Sequence, residues 1–282
     1  MRHSEFREWA NAALGDPRQV YAREAGAPLD DPLVFMPDGA ALQFREAAQS
    51  GDLICPVPGC PSPKLTTRGS ETRRDHFMHV HAPADPEHNR SYTRLATQRL
   101  LRDWAEGQDR VVDVHEAEVD GISITLLVRL SNGSKVALCY VDTKLGADAW
   151  EERNDFIRSK GLAVAWIFAL RRMYFATPDP AEPVVEDPNR TDHLILDQPI
   201  YARMRRTGSW PLLINLERQE IGNVIKPGGS PAKRLGFEPP VSNRVQHFTA
   251  YGLSVCRLCP YGIATPAIKE YTLKLSSDNW LR

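Results

Sequence analysis

The spacing of apolar positions changes several times along the chain, and each change marks an element. SEFREWANAAL, residues 4–14, has helical spacing and stops at Gly15-Asp16-Pro17; the polar stretch up to residue 30 carries no readable pattern. PLVFMPDGAALQF, residues 32–44, reads as two short strands around the turn signal Pro37-Asp38-Gly39. Residues 53–81 follow, with Pro56, Pro58, Gly59, Pro61 and Pro63 close together, which is too irregular for a helix. After the loop APADPEHN, a helix is predicted over about residues 91–106, where Tyr92, Leu95, Ala96, Leu101, Trp104 and Ala105 recur on one face.

From Val111 the pattern becomes that of strands. ISITLLVRL (122–130) and KVALCYV (135–141) flank SNGS, whose Asn132-Gly133 predicts a hairpin turn with both central residues at positive φ. ADAWEERNDFIRSKG (147–161) reads as a helix with Trp150 and Ile157 on one face and Gly161 as its C-terminal cap. LAVAWIFAL (162–170) is the continuous apolar run of a buried strand. Strand, strand, helix, strand is the order of a mixed α/β domain. TPDPAEPVVEDPNRTD (177–192) reads as a linker or surface excursion, WPLLINLERQEIGNVI (210–225) as one hairpin and KPGGSPAKRLGFEPP (226–240) as a flexible loop.

With 282 residues, 42% hydrophobic and 25% charged, the chain can bury a sizeable core without disulfides. No stretch approaches the roughly 18 consecutive apolar residues of a membrane span. The N-terminus is too polar for a secretory signal, so a cytoplasmic protein without a membrane partner is expected. A net charge of −1 excludes bulk attraction to a polyanion, so any DNA contact must use a local basic face.

The number of cysteines is odd, and four of them form two close pairs, Cys55/Cys60 and Cys256/Cys259. In a reducing compartment such pairs indicate metal ligands or free thiols. Cys55-x4-Cys60 with His76-x2-His79 supplies the two thiolates and two imidazoles that a tetrahedral structural zinc prefers. His81 and His88 lie near enough in sequence to replace one histidine. Four protein ligands leave no open position, so the site reads as structural. For Cys256 and Cys259 two readings stay open, unconnected thiols or a second metal completed from afar by a residue such as His247.

DLICPVPGC (52–60), RRDHFMH (73–79), QRLLRDW (98–104) and WEERNDFIRSKGLAVAWIF (150–168) together resemble the competence protein CoiA-like family. The resemblance covers roughly residues 35–170 and implies a small N-terminal Cys/His zinc module followed by a restriction-endonuclease-like mixed-sheet α/β domain. On this reading residues 1–30 are an N-terminal segment, 31–88 the zinc module, 89–178 the nuclease-like domain and 179–282 a C-terminal region of unassigned fold.

Members of that family carry an Asp on the first hairpin strand and a Glu-x-Gln on the second, with a Glu-Ser, a His and a Lys on the preceding helix; the acids would hold Mg²⁺ and a Lys or Gln would help orient water. Here the matching positions are Thr125, Cys139 and Val141 on the strands, and Arg94 and Gln98 on the helix. No catalytic residues are therefore expected at this place, and the reading is a pseudonuclease. The alternative is an active Mg²⁺-dependent nuclease using Asp142 and Lys144, with Asp113 or Asp120 as the upstream acid.

Arg90, Arg94, Gln98 and Arg102 repeat every four residues and form one helix face, which reads either as a solvated stripe or as a DNA-phosphate contact. Arg73-Arg74 and Arg171-Arg172 would extend it. The expected function is a DNA-associated binding protein acting in competence, DNA processing or defence, or else a protein-interaction subunit.

Overall fold

The structure is a computed structural model that describes residues 9, 18–70, 73–85, 87–143, 145–169, 173–175, 194–196, 200, 203–204, 207, 209–224 and 248–269. The chain forms two compact units, Ala13–Asp103 and, separately, Met1–Ala12 with Trp104–Arg282. No helix among the described residues is long and apolar enough to cross a membrane.

In the first unit, strands β1 (Tyr21–Glu24), β2 (Val34–Phe35) and β3 (Leu53–Ile54) form an antiparallel sheet in the order β2-β1-β3. The turn at Pro37-Asp38-Gly39 is followed by helix α1 (Ala41–Ser50), where the sequence pattern predicted a second strand. The residues explain the correction. ALQFREAAQS consists mostly of strong helix formers, and Ala41, Phe44, Ala47 and Ala48 recur at the three- and four-residue spacing of one buried stripe.

Residues 65–79, which the sequence left irregular, form a hairpin of β4 (Leu65–Ser70) and β5 (Arg73–His79), with a register shift between Arg68 and Ser70. Phe77 and Leu65 point from it into a core shared with Ala22, Met36, Leu53 and Cys55. Helix α2 (His88–Glu106) follows. The buried hydroxyl of Tyr92 accepts hydrogen bonds from the amides of Val20 (2.9 Å) and Tyr21 (3.1 Å), and Arg99 is buried, donating to the carbonyls of Leu29 and Asp30.

The second unit is built on one seven-stranded mixed sheet. β6 (Val111–Val119), β7 (Ile122–Leu130) and β8 (Lys135–Val141) are antiparallel neighbours. Helix α3 (Ala147–Ser159) then crosses over to β9 (Ala163–Ala169), which pairs parallel to β8. The two inner strands are apolar and buried almost throughout, as parallel strands covered on both faces must be. β6, at the edge, is half exposed and carries Asp113, Glu116 and Glu118.

Both hairpin turns follow from glycine. Asp120 (φ 46°) and Gly121 (φ 83°) make the two-residue turn between β6 and β7. At SNGS only Gly133 has positive φ (85°). The loop is therefore three residues, with Gly133 N bonded to the Leu130 carbonyl, and not the predicted two-residue turn. α3 buries Trp150, Asn154 and Ile157; Asn154 Oδ1 accepts from the Trp166 indole at 3.1 Å, and Gly161 (φ 75°) ends the helix as expected.

The predicted hairpin near residue 215 is β12 (Leu212–Asn215) and β13 (Glu220–Val224), and it belongs to the same sheet. β12 pairs parallel to β9, and β14 (Phe248–Gly252) closes the order β14-β13-β12-β9-β8-β7-β6. β10 (Met173–Phe175) with β11 (Leu194–Leu196), and β15 (Arg257–Cys259) with β16 (Gly262–Ala264), form two separate antiparallel pairs. Trp9 is fully buried in this unit, its indole donating to Glu220 and its carbonyl accepting from Asn215. The rest of the predicted helix over residues 4–14, the stretches 177–192 and 226–240, Lys144, Arg171, Arg172 and His247 lie outside the described residues.

Candidate metal centre

Cys55 directly follows β3, its amide bonded to the Pro63 carbonyl at 2.9 Å and its side chain in the hydrophobic core. Pro56 and Pro58 restrict the backbone beyond it, and Gly59 takes φ 71°, so that Cys60 N closes back on the Val57 carbonyl at 3.2 Å. This tight turn brings the second thiol beside the first. Burial pushes the Cys55 thiol up to about 12, and the neighbouring Cys60 adds to the rise. A divalent cation acts in the opposite sense, because the thiolate is the ligand.

His79 is the last residue of β5 and pairs with Leu65, on the inward side of the hairpin. Its Nδ1–H donates to the Ser62 carbonyl at 2.6 Å, and its Nε2 is buried with no hydrogen-bond partner. Burial lowers its pKa, opposed by the Ser62 carbonyl and supported by nearby His88, so the imidazole is neutral and its free lone pair sits on Nε2. A backbone carbonyl that fixes the tautomer in this way is the usual partner of a metal-bound histidine.

The fourth donor comes from the start of α2. Asp85 accepts from the amides of Glu87 and His88, which begins the helix and turns the buried His88 inward. His88 Nε2 lies 3.3 Å from Cys55 Sγ, and the His79 and His88 rings stand edge to face with centroids 4.8 Å apart. One ligand atom from each of Cys55, Cys60, His79 and His88 lies within 4.8 Å of all the others. Four donors at Zn–S and Zn–N bond lengths of about 2.3 and 2.0 Å, arranged tetrahedrally, stand about 3.3–3.8 Å apart. The 4.8 Å limit is wider than that, and the four residues could hold a metal ion once drawn together around it.

His76, expected from the sequence as a ligand, is not in the group. Side chains on a strand alternate, so residues three apart face opposite ways. With Phe77 and His79 pointing inward, His76 points outward beside Arg68, its Nδ1 bonded to the Arg74 carbonyl at 3.0 Å. His88 takes its place. The sequence signal was there, in an odd separation within a run of strand-forming residues and a histidine just after the cap residue Asp85.

The remaining sequence candidates lie elsewhere. The register that pairs Leu126 with Leu138 sets Thr125 next to Cys139, and Thr125 Oγ1 accepts from the Tyr140 amide at 2.9 Å. Cys139 is buried against Trp166 of β9. Burial pushes its thiol up to about 12, with the Arg153 guanidinium pulling the other way. Val141 is buried opposite Phe168, and Asp142 follows it, also buried.

Asp120 occupies the β6–β7 turn and pairs with Lys160 at 2.6 Å, while Asp113 sits on edge strand β6 beside His115. On α2, Arg90 is exposed and paired with Glu87, Arg94 is exposed, and Gln98 and Arg102 are half-buried. Cys256 immediately precedes β15 and Cys259 is its last residue. Their thiols donate to the Gly252 and Gly262 carbonyls, and burial pushes Cys256 up to about 11. No protein-family model matches the chain, and no curated protein matches it.

Proposed function

We propose that the chain is a zinc-stapled, non-hydrolytic DNA-binding protein, built as the CoiA-like family is, with a restriction-endonuclease-like sheet whose catalytic positions have been replaced. Zinc is the metal this donor set favours: two thiolates and two imidazoles suit it, and hard Mg²⁺ or Ca²⁺ would take oxygen. All four positions come from the protein, so the ion would hold the turn at Cys55–Cys60, the end of β5 and the start of α2 together, and no site for water or substrate remains.

The observation that carries the reading is the chemistry at Thr125, Cys139 and Val141. The hydroxyl of Thr125 is bonded to backbone, the Cys139 thiol is held neutral by burial, and Val141 has no donor. None supplies the negative charge that fixes Mg²⁺ for phosphodiester hydrolysis. The exposed Arg90 and Arg94, one turn apart on α2, support phosphate contact without turnover.

The test is fluorescence anisotropy with linear duplex DNA over a salt series, beside a cleavage assay in Mg²⁺ or Mn²⁺. Salt-dependent binding with no cleavage is expected. Cleavage abolished by Asp142→Asn would instead establish an active nuclease, and no binding at any salt would leave a protein-interaction subunit.

A further inference from the structure

Displaced from the metal group, His76 belongs to a different surface. The hairpin register pairs Leu65 with His79, Thr66 with Met78 and Arg68 with His76. With Leu65 and Phe77 turned into the core, the outer row reads Thr66 and Arg68 on β4, preceded by Lys64, and His76 and Met78 on β5, followed by Val80. None of these six is acidic. Lys64 and Arg68 are exposed, and Met78 and Val80 are 40% and 51% exposed although apolar.

We propose that this outer face of the β4–β5 hairpin is a nucleic-acid contact that lies in the major groove of duplex DNA. The proposal rests on the DNA-binding reading above and deepens it. A two-stranded β-ribbon is one of the two elements the major groove of B-DNA admits. Arg68 on β4 and Lys64 just before it are four residues apart, about 13 Å at 3.3 Å per residue of extended chain, a spacing suited to bridging the groove's phosphate edges. Between them Thr66, Met78 and Val80 present methyl groups of the kind that pack against thymine methyls and sugars.

Arg18 precedes Gln19, which bridges to Phe77, and the positive charges of Arg18 and Arg68 both act on His76. Asp75, whose charge also acts on His76, is buried and turned to the other side of the hairpin, with a carboxylate oxygen 2.5 Å from the Ala41 amide.

The experiment compares the full-length protein with the double variant Lys64→Gln/Arg68→Gln, after metal content and circular dichroism establish that both are equally folded. Both substituted residues are exposed, so the core and the metal group are untouched. Each phosphate contact contributes about 0.9 to the slope of log K against log salt, so loss of two contacts lowers it by about 1.8. Raising salt from 50 to 200 mM would then cost the variant about twelvefold less affinity than it costs the wild type.

A duplex RNA of the same sequence is the competitor, because its major groove is too narrow for a ribbon. It should displace the DNA poorly. An unchanged slope in the variant, or equal competition by RNA duplex or by poly-glutamate, overturns the groove assignment while the DNA reading stands. Failure of the wild type to bind any duplex overturns the DNA reading itself.

Discussion

At the scale of single residues, the deciding feature is which way two histidines point on one strand and its successor helix. The sequence made Cys55, Cys60 and His79 legible as ligands, since paired thiols and imidazoles at short spacing are seldom accidental. It misassigned His76 because the segment was read as irregular, and in an irregular segment sequence spacing says nothing about facing. Once β5 is a strand, alternation excludes His76 and leaves His88. His88→Ala should therefore abolish tight metal binding, whereas His76→Ala should keep one metal per chain by elemental analysis; the reverse pattern would return His76 to the site.

His76 also gives a pH signature. Burial, with Arg18 and Arg68 nearby, lowers its pKa in the folded protein, partly opposed by the Arg74 carbonyl. The unfolded chain then binds more protons as pH falls below about 6.5, so the stability this neutral histidine permits is lost on the acid side. Urea midpoints at pH 7.5 and 5.5 should differ less in His76→Gln than in wild type, and an equal difference would place the acid sensitivity elsewhere.

At the scale of elements, the sheet was read best where local chemistry and burial agree. β7, β8, α3 and β9 were all legible because strand alternation, helical spacing and a capping glycine point to the same answer. α1 was missed because the turn signal before it was taken to join two strands, although the residues after it prefer a helix. The loop at SNGS shows a finer limit: Asn-Gly is compatible with both two- and three-residue hairpin loops, and only the flanking hydrogen bonds choose.

Two substitutions test the elements. Gly121→Ala forces an alanine into left-handed backbone, though its Cβ would meet nothing within 4 Å, and should cost about 1–2 kcal/mol in chemical denaturation. Asn154→Ala strips the buried Trp166 indole of its acceptor and should cost about 1–3 kcal/mol. If either variant matched wild type, the packing of the β6–β7 turn or of α3 on β9 would need revision.

At the scale of the whole molecule, the chain from residue 200 onward was the least legible because the strands described there are short, three to five residues each. β12 to β14 join the central sheet only through pairing with β9, a contact across more than forty residues that no local pattern records. The first unit poses the opposite problem: its core is small, with five alanines and two cysteines among the residues packed around Phe77 and Leu65, so a bound ion would contribute much of its stability. Chelation should accordingly expose residues 50–85 to protease before the sheet unit is cut.

The most direct test is zinc K-edge X-ray absorption on full-length protein purified without a metal-binding tag. One zinc per chain with two sulfur neighbours at about 2.3 Å and two nitrogen neighbours at about 2.0 Å is the predicted result. A protein that retains no metal, or a zinc surrounded only by nitrogen and oxygen, would contradict the centre formed by Cys55, Cys60, His79 and His88.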